Sequence, residues 1–347
     1  MTLVSVLMPI KGNSPFFAHA IQSVRFQTYE NWELIVCKDS VDLASEVYLK
    51  KIADLDARIK LVDTVSLPLP SALNKGLDEC RGDLVARFDA DDIMLPNRLK
   101  DQVGFFTSNP DVIACGGQVM IIDEQSNLRL KAPYYNQDDR ALKSKLDFKC
   151  PFPHPGVTVS RRALAQVGGY SPQFRFAEDY ELWLRLSHLG KFANLRKPVI
   201  AYRSYSSQTS ARYRTETRLH MAVALTRELS RNKPDAADIE SPINAACFQK
   251  EYSRLTEPQK KMVKGLYGAD SFFHEVTDQA HKANLRHGAL SNILHFVFAI
   301  PRRFTHAFLR FINFFYSYPR VRRLWSHYLQ RLSLDPIPLQ SDIYLER

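Results

Sequence analysis

The sequence predicts an α/β fold, with a mostly parallel central sheet flanked by helices and an α-helical C-terminal region. Three observations carry that expectation. Short apolar runs of strand length alternate with amphipathic, helix-length segments up to about residue 210. The early runs end in polar or acidic groups, Lys11-Gly12-Asn13, Lys38-Asp39-Ser40 and Asp89-Ala90-Asp91-Asp92. In a parallel sheet those groups fall on one rim, beyond the carboxyl ends of the strands, where such folds bind ligands. From about residue 212 strand-like runs stop, and helical periodicity rich in Lys, Arg and Gln takes over.

Each element has its own signal. Val4 to Pro9 is a short apolar run closed by a proline, the first buried strand. Ser14 caps a helix with Pro15 at its first position, and Phe17, Ala20, Ile21 and Val24 give it an apolar face. Trp32 to Cys37 is the second strand, and the third lies around Ile59 to Val62. A helix begins at Pro70 and ends near Arg81-Gly82; Leu84 to Phe88 is the fourth strand. A helix from about Pro96 to Thr107 precedes a strand that runs through Val112 to Ile122. Residues 124–140 are polar and loop over the rim. Phe152-Pro153-His154-Pro155 is a proline-stiffened entry into a strand at Val157 to Val159. Arg161 to Val167 is a short helix stopped by Gly168-Gly169, and Phe176 to Leu186 is a helix with acidic residues in its first turn. Val199 to Tyr202 is the last strand. A soft boundary near 210–235, clearest at Asn232-Lys233-Pro234-Asp235, divides the chain into residues 1–215 and 216–347.

With 347 residues and 45% hydrophobic content, the chain can bury a sizeable core. Cys37, Cys80, Cys115, Cys150 and Cys247 are scattered and odd in number, which argues for free thiols in a reducing compartment and against a disulfide framework. The N-terminus reads as a strand rather than a signal peptide, and no window is long and apolar enough to span a membrane. The net charge of +10, concentrated in the last third, suits phosphates or an anionic membrane surface. It comes with an apolar face and no recognised module, so a nucleic-acid partner is not expected.

The chemistry concentrates at Phe88-Asp89-Ala90-Asp91-Asp92. Three carboxylates at the end of a buried strand repel one another, and a hard divalent cation with oxygen ligands relieves that repulsion. The alternative is a solvated acidic turn capping the helix near Pro96. The context weighs against that alternative. Val4 to Pro9, Ser23 to Val36, Asn74-Lys75-Gly76, Phe88 to Asp92, His154-Pro155-Gly156, Gly168-Gly169-Tyr170 and Glu178 to Trp183 occur in order at consistent spacing. This series closely resembles the family-2 glycosyltransferases of bacterial polysaccharide synthesis, which have the Rossmann-like GT-A fold; Asp89-Ala90-Asp91 matches their D-x-D motif.

The resemblance implies an inverting hexosyl transfer from a nucleotide-diphosphate sugar, UDP-linked by preference, to a glycan or polyprenyl-linked acceptor of a capsule, O-antigen or exopolysaccharide. It implies Mn²⁺ or Mg²⁺ bound through Asp91, and Asp179 as the general base. It also implies a donor site of Pro9, Asp39, Asn74, Asp89, Ala90, Asp91 and Glu178, with Asp39 near the base or ribose and Asp89 near the ribose. The sequence departs from the family at Cys37-Lys38-Asp39-Ser40, where members often carry two acidic residues followed by Gly-Ser. Lys38 would then approach a phosphate or point into solvent. His154, between prolines, reads as structural or as part of an acceptor loop. Arg203, Arg212 and Arg214 follow the last strand, where a loop would close on the diphosphate; singly, each reads as solvated surface. Two other functions fit less well: a sugar nucleotidyltransferase, for which Lys11-Gly12-Asn13 is a poor loop, and a non-catalytic glycan scaffold at a membrane.

Between Ala289 and Trp325 a helical wheel gathers Arg302, Arg303, His306, Arg310 and Asn313 on one arc. Phe304, Phe308, Leu309, Phe311, Ile312, Phe314, Phe315 and Tyr316 fill the rest. Such a segment suits an interfacial helix on an anionic membrane, which would place the protein at the cytoplasmic face of the inner membrane as a peripheral protein. Packing on the first domain is the alternative.

Overall fold

The computed structural model describes residues 1–129, 135, 137–147, 149–205 and 213–230, and beyond them 248, 252, 253, 255–260 and 263. Its strands are β1 (Val4–Lys11), β2 (Trp32–Asp39), β3 (Ile59–Asp63), β4 (Leu84–Arg87), β5 (Ile93–Met94), β6 (Val112–Ile122), β7 (Leu128–Arg129), β8 (Thr158–Ser160) and β9 (Lys191–Arg203). Its helices are α1 (Phe17–Arg25), α2 (Leu43–Leu55), α3 (Leu69–Asp78), α4 (Arg98–Ser108), α5 (Asp139–Lys143), α6 (Arg161–Gln166), α7 (Glu178–Leu186) and α8 (Arg214–Ser230).

Among the described residues one sheet runs β3-β2-β1-β4-β8-β6-β9-β5, with β7 on β6. β1 pairs in parallel with β2 and β4, β2 with β3, and β6 with β9. β8 runs against β4 and β6, β5 against β9, and β7 against β6. The expected α/β class with a mostly parallel sheet is the observed one. Alternation along β1 and β2 sends Leu7, Ile35 and Cys37 into one core and Val4, Val6, Met8, Leu34 and Val36 into the other. Both faces are covered, which is why these strands read as continuous apolar runs. α3 lies close on the first face, because a Cβ added at Gly76 would sit 2.3 Å from Cys37 Sγ.

Several boundaries differ from the expected ones. Ser14 does not cap α1: its Oγ accepts from Phe16 N at 3.3 Å in a turn ahead of the helix, and Phe16 holds the cap position. α2 has no counterpart among the expected elements, although Asp42 caps it by accepting from Ser45 N at 2.8 Å. The last strand begins at Lys191 rather than Val199, in a bulged pairing with β6 whose middle is exposed and polar. α8 packs on α7, and its Ala222, Val223, Ala224 and Leu225 share a core cluster with Trp183 and Leu186, so the core continues past residue 215. Among the described residues no helix is long and apolar enough to cross a membrane. The basic-aromatic segment of residues 289–325 lies outside the described residues.

Candidate active site

Parallel pairing of β1, β2 and β4 brings Lys11, Asp39 and the chain after Arg87 onto one rim. Phe88 is fully buried and anchors the turn that follows β4. Asp89, Asp91 and Asp92 then gather so that one carboxylate oxygen of each lies within 4.8 Å of the others. Each has a tether. Asp89 Oδ1 accepts from Arg87 Nη1 at 2.6 Å, Asp91 Oδ2 from the Tyr205 hydroxyl at 2.8 Å, and Asp92 Oδ1 from Arg203 N at 2.8 Å. Asp92 is 1% exposed, and its Oδ2 has no hydrogen-bond partner among the described residues. Burial, with the charge of Asp89, raises the Asp91 carboxyl; burial, with Asp91 and Asp89, raises that of Asp92 well above the ordinary range.

Three crowded carboxylates and an unpartnered buried oxygen fit a divalent cation bound through oxygen. They do not fit a helix cap: α4 starts at Arg98, after Asn97, and the three side chains bond elsewhere.

Asp39 closes β2 and is 5% exposed. Burial pushes its carboxyl up, but Lys11 Nζ at 2.9 Å, Ser66 N at 3.0 Å and Ser40 Oγ at 2.8 Å more than offset this and leave it below its usual range. Ser40 and Ser66 both adopt left-handed backbone, at φ 52° and 63°. Ser40 thus holds the conformation that glycine favours at the position where the family often has one. Lys38 does not point freely into solvent: it is paired with Asp63 and, at 3.0 Å, with Glu46.

Glu178 and Asp179 open α7. Burial, with the charge of Asp179, pushes Glu178 up to about 8. Asp179 is half-buried, and burial raises it too, opposed by Cys150 Sγ at 3.2 Å from Oδ2 and Tyr180 N at 2.7 Å from Oδ1. His154 is buried, with Nε2 2.9 Å from the Tyr170 hydroxyl and Nδ1 3.8 Å from Glu178. Burial, then the nearby Arg87, holds His154 well below its usual value, so it is neutral.

Arg87, 4% exposed, ties the two acidic groups together. Burial lowers its pKa, but Asp89, Tyr170 and Glu178 more than offset this and raise it above the ordinary value. An arginine inside an otherwise apolar strand, directly before three carboxylates, is the sequence signal that would have found it. Cys150 and Tyr205 carry no comparable signal.

The remaining expected site residues are placed as follows. Pro9 is half-buried on β1 opposite Cys37, and Ala90 is half-buried within the aspartate turn. Asn74 spends both polar atoms of its amide on Tyr170, donating to its carbonyl at 2.7 Å and accepting from its N–H at 2.8 Å, so it does not join the aspartates. Arg203 is not solvated surface. It is fully buried, donating through Nε to Asp91 O at 2.7 Å and through Nη1 to Asp123 O at 2.8 Å. The side chains of Arg212 and Arg214 lie outside the described residues. Asp123, Glu124, Gln125 and Arg129 line an open cavity with Tyr205 beside Asp91, so the start of the polar 124–140 stretch does border the rim.

Residues 5–168 match the family model described as Glycosyl transferase family 2. The O-antigen biosynthesis glycosyltransferase WbnJ of Escherichia coli is 30% identical over 217 residues, which cover 60% of this chain and 82% of that protein. The chain belongs to glycosyltransferase family 2. Another E. coli relative of this glycosyltransferase, a UDP-Gal:alpha-D-GlcNAc-diphosphoundecaprenol beta-1,3-galactosyltransferase, is 31% identical over 217 residues, covering 60% of this chain and 76% of that one. Among solved structures it resembles S. aureus TarS with a TM-score of 0.53 and 12% identity, over 82% of this chain and 55% of that one. The TarS 1–349 structure with UDP-GlcNAc gives a TM-score of 0.54 at 13% identity, over 82% and 92%. These likenesses show the fold, which is GT-A. The family match includes Asp39, Asn74 and the aspartate cluster and stops before Glu178 and Asp179 of this glycosyltransferase.

Proposed function

We propose that this glycosyltransferase is a metal-dependent, inverting hexosyltransferase. It would move a sugar from a nucleotide-diphosphate sugar, UDP-linked by preference, to a glycan or polyprenyl-linked acceptor in capsule, O-antigen or exopolysaccharide synthesis. The observation that carries this reading is the pair of acidic groups, Asp89-Asp91-Asp92 and Glu178-Asp179, facing one buried arginine, Arg87. The E. coli relative named for UDP-Gal and a diphosphoundecaprenol acceptor supports the donor and acceptor classes.

Asp91, backed by Asp89 and Asp92, would hold Mn²⁺ or Mg²⁺. When bound, such an ion neutralises charge on the departing diphosphate. Asp39 contacts the base or ribose, Asp89 lies near the ribose, and Pro9 and Ala90 line the donor site with their backbone. Glu178 completes that site as a neutral carboxyl at pH 7, since its value is about 8. Asn74 acts on it indirectly, by fixing the Tyr170 backbone. Asp179 accepts the proton of the acceptor hydroxyl while that oxygen bonds to the anomeric carbon. The carbon–oxygen bond to the diphosphate breaks, and its electron pair leaves with the diphosphate. Attack opposite the leaving group inverts the anomeric centre.

The division into a catalytic region, 1–215, and a helical region, 216–347, stands as part of this proposal, with α8 packed on α7 as the joint. The basic-aromatic 289–325 segment would bind an anionic membrane and hold the enzyme at its cytoplasmic face, near lipid-linked acceptors.

The test incubates the full chain with UDP-, GDP- and dTDP-sugars in Mn²⁺, Mg²⁺ or EDTA and measures nucleoside diphosphate release. Release from one donor that disappears in EDTA is expected. Pyrophosphate release from a nucleoside triphosphate and a sugar phosphate would point to the nucleotidyltransferase. A folded protein inert in every arm would point to the scaffold.

A further inference from the structure

We propose that Cys150 is a positioning residue for the base: its thiol holds the Asp179 carboxylate in the orientation seen here. This rests on the reading of Asp179 as the base. The geometry is specific. Asp179 Oδ1 is fixed by Tyr180 N at 2.7 Å on its own helix, and Oδ2 receives the Cys150 thiol at 3.2 Å, an ordinary length for a sulfur donor.

The loop that carries Cys150 is pinned to the same helix. Two residues on, Phe152 is 2% exposed and packs edge-on against Trp183, one turn after Asp179, with ring centroids 5.1 Å apart. That contact joins the Cys150 loop to the helix that carries Asp179. Other thiols meet backbone instead: Cys80 Sγ donates to Gly76 O at 3.3 Å and Cys115 Sγ to Gly116 O at 3.5 Å.

The charged and titratable groups facing Asp179 are Glu178 on α7, Arg87 on β4, Tyr170 after α6, and Cys150. Burial, then the neighbouring Asp179, lifts the Cys150 thiol well above its ordinary value, so it remains a donor through neutral pH. Glu178 has a neutral histidine 3.8 Å away in place of such a donor and stays protonated at neutral pH. The thiol therefore opposes the effect of burial at Asp179, and no thiol does so at Glu178 among the described residues.

Two measurements test this. In the resting protein, the infrared S–H stretch of Cys150 is identified by its loss in Cys150→Ser. It should move to higher frequency in Asp179→Asn, where the acceptor becomes an uncharged amide; an unmoved band overturns the contact. In turnover, UDP release from UDP-galactose is followed against pH. Cys150→Ala should lower kcat by about threefold to tenfold, the scale of one ordinary hydrogen bond. It should also move the acid limb of kcat upward while leaving the donor KM unchanged. Cys150→Ser, which restores a donor, should recover most of kcat and return the acid limb to the wild-type position or below. Equal losses in both variants, or a Cys150→Ala profile matching wild type, overturn the inference. Asp179→Asn run alongside separates the two levels. If it retains turnover, the base reading fails and this inference with it. If it is inactive while Cys150→Ala behaves as wild type, only this inference fails.

Discussion

Arg87 is the residue on which the charges of the site turn. Its guanidinium bonds Asp89 at 2.6 Å and also acts on Glu178 and Asp179, so one cation serves both acidic groups. The residues around it give separable predictions. Asp91→Asn should remove most turnover and weaken Mn²⁺ binding measured by titration calorimetry, because a neutral amide cannot offset the cation's charge. Wild-type affinity in that variant would remove Asp91 from the metal site. Asp179→Asn should cut turnover by roughly 10²-fold or more, the usual scale of general base catalysis, with donor binding nearly intact. Donor affinity that collapses while saturated turnover holds would make Asp179 a binding residue. Glu178 gives a pH signature. Its carboxyl stays protonated in the fold up to about 8 but ionises in the unfolded chain from 4.5. The folded state therefore binds the extra proton, and its stability falls as pH rises through that window. Glu178→Gln removes the penalty. Its unfolding free energy from urea titration should gain on wild type between pH 5 and pH 9, by up to a few kcal/mol at about 1.4 per pKa unit. A constant difference across pH would mean that Glu178 is charged in the fold.

At the scale of elements, the joint between α3 and the end of α6 decides where α7 presents its acidic pair. Asn74 grips the Tyr170 backbone with both ends of its amide, and Arg185 of α7 donates to Gly169 O at 2.8 Å. Gly169 sits at φ 70°, and an added Cβ would lie 2.6 Å from Asn74 Oδ1. Gly169→Ala should therefore cost roughly 1–3 kcal/mol, from backbone strain and the clash together. Asn74→Ala removes the clash partner, so the double variant should lose less than the sum of the singles in a thermal-melt cycle. Strict additivity would mean that Asn74 does not hold this corner. Gly168-Gly169 was legible as a helix stop, since two glycines end a helix readily. The partner of that corner was not, because Asn74 and Tyr170 are 96 residues apart.

At the scale of the whole molecule, the basic-aromatic 289–325 segment gives the prediction. A chain ending near residue 285 should keep the melting transition of the full protein if 289–325 is a membrane segment. It should also lose co-sedimentation with anionic vesicles while still hydrolysing donor. Phe308→Glu with Phe315→Glu should reproduce that loss at full length, since each buried apolar side chain contributes about 1.5–3 kcal/mol of transfer free energy. Unchanged vesicle binding with a large drop in melting temperature would instead mean that the segment packs on the catalytic region.

Most strands and helices in their order, the shared rim and the aspartate cluster were readable from residue pattern, although the helix Leu43–Leu55 was missed. A buried parallel strand must be apolar on both faces, and three adjacent carboxylates cannot be spent on packing. β5 and the Lys191 end of β9 were not readable. One is two residues long and the other is exposed and polar mid-strand, so neither carries a period. The same holds for the contacts that tune the site. Burial of Arg203 and the tether of Tyr205 to Asp91 each join residues over 75 positions apart, as does Asn74 on Tyr170. How far each carboxyl shifts depends on such neighbours, because a pKa is set by burial and nearby charge. The sequence carries the identity of the acidic residues; only the packed chain gives each the burial and the neighbours that make them differ.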